Sequence, residues 1–204
     1  MYTLYFIPSA CSLAIQVMLR ELNQAFTLVN QQSTENFIAV NPANVVPALV
    51  ENGKVYTEGA AIMLHLLRTH PSELWPSSVG LQQQTIEDLM FANASMHPAY
   101  GRLFFATHAI ANEQARQLFL EEAAKQINKL WQVVGLRLAQ RENEGGYLGG
   151  RMPGAADIFL AVYARWGAHF FVDIQIPDNV QQMLESVMAR QSFKAALLAE
   201  QSST

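Results

Sequence analysis

"PSACSLAIQVMLREL", Pro8–Leu22, holds Cys11, the only cysteine among 204 residues. Before it, "MYTLYF" alternates and is rich in aromatic residues, the pattern of a strand. After it, Leu13 and Val17, and Ala14, Met18 and Leu22, recur at four-residue spacing, the pattern of a helix. The thiol is therefore expected where a strand turns into a helix. Unpaired N–H groups and the positive end of the helix dipole stabilise a thiolate there, so its pKa is expected to fall. Ser9 and Ser12 add hydroxyls that can donate to the sulfur. The same thiol also reads as a small buried apolar residue, and this stretch alone leaves both readings open.

Working outward, "AFTLVN" reads as a second strand and "STENFIAV" as a short helix that Ser33 or Thr34 can cap. "VVPALVENGKVYT" places Asn52-Gly53 between two β-rich runs, a hairpin signal because a type I′ turn needs positive φ at both central residues. "EGAAIMLHLLRTH" is helical. Residues 1–70 thus read βαβ, short helix, ββα. Residues 71–80, with two prolines, three serines and a glycine, are expected to be a linker. Residues 81–204 read as all-helical. Ile86, Leu89, Met96, Ala99 and Leu103 keep a helical rhythm that Pro98 should kink. Ala123, Ile127, Leu130, Val134 and Leu138 mark a second long helix. The Gly-rich "ENEGGYLGGRMPG" leads into an apolar helix from Gly154 to about His169, and two short helices finish the chain.

Half of the residues are hydrophobic, and 13 basic against 17 acidic residues give a formal net charge of −4. The basic residues are scattered, which argues against nucleic acid as the main partner and against an anionic membrane surface. The longest apolar stretch contains Asp157, Arg165 and His169, so it is expected to be a buried helix rather than a membrane span. No secretory signal is visible, and a single cysteine fits a reducing, cytoplasmic setting. The five histidines show no paired metal spacing, so no metal is expected.

Two further stretches bear on chemistry. Pro47 falls in a β-rich run, where a proline removes a ladder bond; a cis Val46-Pro47 bond at the strand start would present the Val46 backbone to a ligand. "TEGAAI" opens a helix directly after a strand. Its Glu58-Gly59 start offers backbone N–H groups for a carboxylate, and Glu58 can bind an ammonium. Together they suit the head of an α-amino acid. Each also has a plain structural reading, an edge-strand proline and a carboxylate that complements the helix dipole.

In order, strand–"SACS"–helix, "NPANVVPALVENG" and "YTEGAAIMLHLL" resemble the N-terminal domain of a glutathione S-transferase, most closely the bacterial beta class, whose first motif is close to "PGACSLA". "GRMPGAADIFLAVYARW" is similar to a helix of that family's C-terminal domain, with Asp157 at its start. The resemblance covers essentially the whole chain. It implies an α/β thioredoxin-like domain followed by an all-α helical bundle, a glutathione site between them, glutathione as co-substrate, and a homodimer. On this resemblance Val46 pairs with the cysteinyl unit of glutathione beside a cis Pro47. Glu58 and Gly59 hold the γ-glutamyl end. Cys11 lies against the glutathione sulfur, with Ser9 as a lesser candidate, and His97 in "SMHPAY" reaches the active site. Tyr100, Phe104 and Trp166 are expected to line the electrophile pocket. The chain departs from the class pattern at Pro98, where a lysine is usual, and at Met90. It departs again in "NQQSTENFIAVNP", which lacks the basic residue often used for the glycyl carboxylate.

The function so implied is conjugation of glutathione to a small hydrophobic electrophile. Two alternatives are glutathione-dependent disulfide or peroxide reduction through a mixed disulfide on Cys11, and a non-catalytic binding protein on the same fold.

Overall fold

The computed structural model describes residues 1–141 and 145–202. Residues 142–144, at the start of the Gly-rich connection expected from the sequence, lie outside the described residues. The chain divides into two compact units, one of Met1–Gln82 with Met188–Thr204 and one of Gln83–Val187.

The first unit is built on a four-stranded sheet: β1 (Tyr2–Phe6), β2 (Phe26–Asn30), β3 (Ala48–Glu51) and β4 (Lys54–Thr57), in the order β2-β1-β3-β4. Helix α1 (Ser12–Glu21) carries the chain from β1 to the parallel β2, the crossover that a parallel pair requires. β1 and β3, and β3 and β4, are antiparallel. The β3–β4 hairpin turns at Asn52 and Gly53, whose φ values of 49° and 79° are the positive pair expected of Asn-Gly. Helix α2 (Gly59–Thr69) follows β4 directly. The "STENFIAV" segment forms a single 3-10 turn, Phe37–Ala39, behind Asn36 rather than behind Ser33 or Thr34.

Helix α1 is buried all the way from Ser12 to Leu19. The reason is helix α8 (Gln191–Ser202), which packs on α1 while the sheet and α2 cover its other sides. A helix covered on all sides must be apolar around its whole circumference. The one long polar residue of this buried stretch, Gln16, is paired with the buried Glu200 at 2.8 Å. The sequence places α8 at the end of a helical domain running from 81 to 204; in the structure it belongs with the sheet. Arg190 fixes it there, clasping Glu21 at the end of α1 with two bonds of 2.7 and 2.8 Å. Ser192 also bonds to Glu21.

The second unit is helical among its described residues: most of α3 (Val79–Met90), α4 (His97–Ala109), α5 (Glu113–Gln140), α6 (Ala155–Trp166) and most of α7 (Asp178–Met188). The disturbance expected at Pro98 takes a specific form. The chain widens into a π-helical stretch over Phe91–Met96, and α4 restarts at His97 with Pro98 in its first turn. Proline is tolerated there because a first-turn N–H has no helical partner to lose. Helix α5 starts ten residues earlier than its clearest apolar repeat, behind Asn112, whose side chain accepts from the Ala115 N–H at 2.8 Å.

Helix α6 is enclosed almost entirely, from Ala155 to Tyr163. Its start is organised by Asp157, which accepts from the N–H groups of Leu148 (2.9 Å), Gly149 (3.0 Å) and Gly154 (2.7 Å). Burial pushes the Asp157 carboxyl up to about 6, although these three N–H groups pull the other way.

Candidate active site at one end of the sheet

Sheet register brings the sequence-separated motifs together. Phe6 at the end of β1 faces Asn30 at the end of β2, Tyr5 faces Ala48 at the start of β3, and Ala48 faces Thr57 at the end of β4. The segments leaving these strand ends therefore emerge on one edge. They are Gln31 after β2, the Ile7–Cys11 turn after β1, Val46-Pro47 before β3, and Glu58-Gly59 after β4.

The Ile7–Cys11 turn is held in three places. The Ala10 N–H bonds to the Ile7 carbonyl at 3.1 Å. Ser9 has φ +63°, and its N–H donates to Glu200 of α8 at 2.9 Å. Ser12 donates its hydroxyl to the Ile7 carbonyl at 3.4 Å, so it serves the backbone rather than the sulfur. Cys11 follows as the N-cap residue of α1, partly exposed, with its Sγ donating to the Val46 carbonyl at 3.6 Å.

The expected depression of the Cys11 pKa is reversed. Burial pushes the thiol up to about 11, outweighing the N–H groups of Cys11 and Ser12 that favour the thiolate. The Glu58 carboxylate adds to the rise. A helix N-terminus lowers a thiol pKa only when the charge gained there exceeds the hydration lost. Here the thiol stays neutral and acts as a hydrogen-bond donor.

The Val46-Pro47 bond is cis, and Pro47 is buried one residue ahead of β3, where it removes no ladder bond. The preceding loop is braced by Asn41, which donates to the Val45 carbonyl at 2.7 Å and accepts from the Ala43 N–H at 3.1 Å. Glu58 caps α2 in the left-handed region (φ +65°), and Gly59 is buried beside it. The first bond of the α2 ladder runs from the Ile62 N–H to the Glu58 carbonyl, so the N–H groups of residues 59–61 are not used by that ladder. Cys11, Val46, Pro47, Glu58, Gly59 and Ser9 thus share one edge of the first unit.

The remaining candidates lie in the second unit. His97 is partly exposed, its ring edge-on to Tyr163 and Trp166 at 5.2 and 5.4 Å. Phe104 is also partly exposed and meets Trp166 and Phe170 edge-on. Tyr100 differs from expectation: it has no exposed surface, and its hydroxyl accepts from the Trp131 indole N–H at 3.0 Å. Burial pushes that hydroxyl up to about 12. Tyr100 is a core residue of the helical unit, and Trp166 is nearly as enclosed. Glu200 was missed by sequence reasoning altogether; a glutamate in "LLAEQ" carries no local sign that it will be buried against a turn 191 residues away.

Residues 8–74 match the glutathione S-transferase N-terminal domain family. The chain is 29% identical to glutathione S-transferase GST-4.5 of Xanthomonas campestris pv. campestris, covering 97% of this chain and 98% of that protein. A sphingomonad glutathione S-transferase solved in complex with glutathione superimposes with a TM-score of 0.82 at 28% identity, over 98% of each chain. Protein URE2 of Kluyveromyces lactis is 26% identical over 74% of this chain and 45% of its own length.

Proposed function

We propose, from the premise that this chain belongs to the glutathione S-transferase family, that it conjugates glutathione to a small hydrophobic electrophile. The observation that carries this reading is the convergence, on one sheet edge, of the Cys11 thiol, the Val46 backbone at a cis proline and the open start of α2. The relative solved with glutathione supports the choice of co-substrate. The beta-class assignment, a homodimer and a cytoplasmic setting belong to the same proposal.

In this mechanism the γ-glutamyl carboxylate sits on the N–H groups at the start of α2 and its ammonium on Glu58. The cysteinyl unit lies along Val46. The neutral Cys11 thiol, freed from the Val46 carbonyl, donates to the glutathione sulfur and stabilises it as a thiolate. The proton of the glutathione thiol leaves to solvent, and Cys11 keeps its own. The thiolate then attacks the electrophilic carbon of, for example, an aryl chloride; a C–S bond forms, the C–Cl bond breaks, and chloride departs with the electron pair.

The raised Cys11 pKa favours this donor role over a mixed-disulfide reductase, which needs a thiolate nucleophile. Conjugation of glutathione to an aryl chloride, measured for Cys11→Ser and Cys11→Ala, tests it. A donor role predicts that Ser, which keeps a donor, stays within about tenfold of the parent, whereas Ala loses about 100-fold in kcat. Equal and complete loss in both variants would point to sulfur chemistry at Cys11. No conjugation by the parent protein would remove the transferase reading.

A further inference from the structure

The segment at the far end of this edge, Asn30–Val46, contains no Lys, Arg or His. The strand order β2-β1-β3-β4, with neighbours about 4.8 Å apart, spaces the ends of β4 and β2 by about 14 Å. A tripeptide with an extended γ-glutamyl link is about that long. If its amino-acid head lies at Glu58-Gly59 and its sulfur at Cys11, its C-terminal residue falls over the end of β2. The residues there are amides. Asn30 accepts from the Gln32 N–H at 3.0 Å, and Gln31 donates to Asn44 at 3.3 Å. From Asn30 to Val46 the only ionisable side chain is Glu35, which is exposed. The charged side chains that these segments themselves supply, Glu35 after β2 and Glu58 at the start of α2, are both acidic.

A site built to read a terminal carboxylate uses a charge-assisted bond from Lys or Arg. This edge instead offers side-chain amides, which donate and accept and so suit a neutral amide or ester. Free glutathione brings two carboxylates and one ammonium to the site, and among the described residues of this edge one carboxylate is matched at the start of α2, whereas Asn30–Val46 offers the other no basic side chain.

Resting on the proposed glutathione site, we infer that this protein takes a γ-glutamyl-cysteinyl thiol whose C-terminal carboxylate is masked, as an amide or ester, at least as readily as free glutathione. The test is calorimetric titration of the parent protein and Gln31→Lys with glutathione and with its glycine monoethyl ester. The parent should bind the ester as tightly as the acid or more so, and Gln31→Lys should tighten the acid about tenfold while leaving the ester nearly unchanged. A parent that binds the acid more than about threefold tighter than the ester overturns the inference while leaving the glutathione site intact. A Gln31→Lys effect equal on both ligands overturns it too. Binding of neither ligand to the parent removes the underlying site reading, and the inference with it.

Discussion

At the scale of single residues, Cys11 shows why position alone does not set reactivity. A helix start favours the thiolate, but the same folding event strips water from the sulfur, and burial wins. The free protein should therefore react slowly with iodoacetamide at neutral pH, with the rate rising through a midpoint near 11 rather than near the usual 8.5. A midpoint below 8 would show the thiolate to be stabilised after all. Glu200 is a second residue-scale feature. It takes the Ser9 N–H and the Gln16 amide on separate oxygens, and the Gln16 Oε1 has no hydrogen-bond partner. Glu200→Gln can keep both bonds if the Gln16 amide turns over, so it should stay close to parent stability, while Glu200→Leu strands the buried Gln16 amide and removes the acceptor of the Ser9 N–H, and should lose about 1–3 kcal/mol in chemical denaturation. Equal losses in both would assign the carboxylate a role through its charge.

At the scale of elements, two helix ends carry much of the specificity of packing. Asp157→Ala leaves the N–H groups of Leu148, Gly149 and Gly154 without their acceptor at the start of α6, and should cost about 2–4 kcal/mol. The pH dependence follows from the raised carboxyl. The folded protein keeps the Asp157 proton up to about 6, whereas the unfolded chain releases it near 4. The folded state binds the extra proton between those values, so the Asp157 contribution falls as pH rises from about 4 to 6 and levels off above. Glu21 acts oppositely. Burial works to raise its carboxyl, but the bonds from Arg190 and Ser192 and the Arg190 charge outweigh that and hold it below the usual range. Its contribution is fully present above about 4.5 and is lost as pH falls further. The gap in unfolding free energy between Glu21→Gln and the parent should therefore be level above about pH 4.5 and narrow as pH falls below it; a gap that does not change with pH would contradict the clasp.

At the scale of the whole molecule, the parts legible in the sequence are those fixed by neighbours along the chain. Alternation in "YTLYF", four-residue spacing after Cys11 and the Asn52-Gly53 turn specify elements locally, and their order gives the thioredoxin-like half. Three motifs in sequence carry the family resemblance, which the match over residues 8–74 bears out. What was not legible depends on distant partners. The return of α8 onto α1 rests on the Arg190–Glu21 clasp across 169 residues, the fate of Tyr100 on Trp131, and the pKa of Cys11 on how much water the fold removes. Because burial pushes the Cys11 thiol up to about 11 in the free protein, the difference in thiolate absorbance near 240 nm between the glutathione complex and the free protein at lower pH reports the ligand sulfur. A pH titration of that absorbance is the most direct test of the account. It should place the bound glutathione thiol at least about one unit below its value in free solution, with the shift much reduced in Cys11→Ala. An unshifted thiol, or no saturable binding at millimolar glutathione, would contradict the claim that this sheet edge activates glutathione.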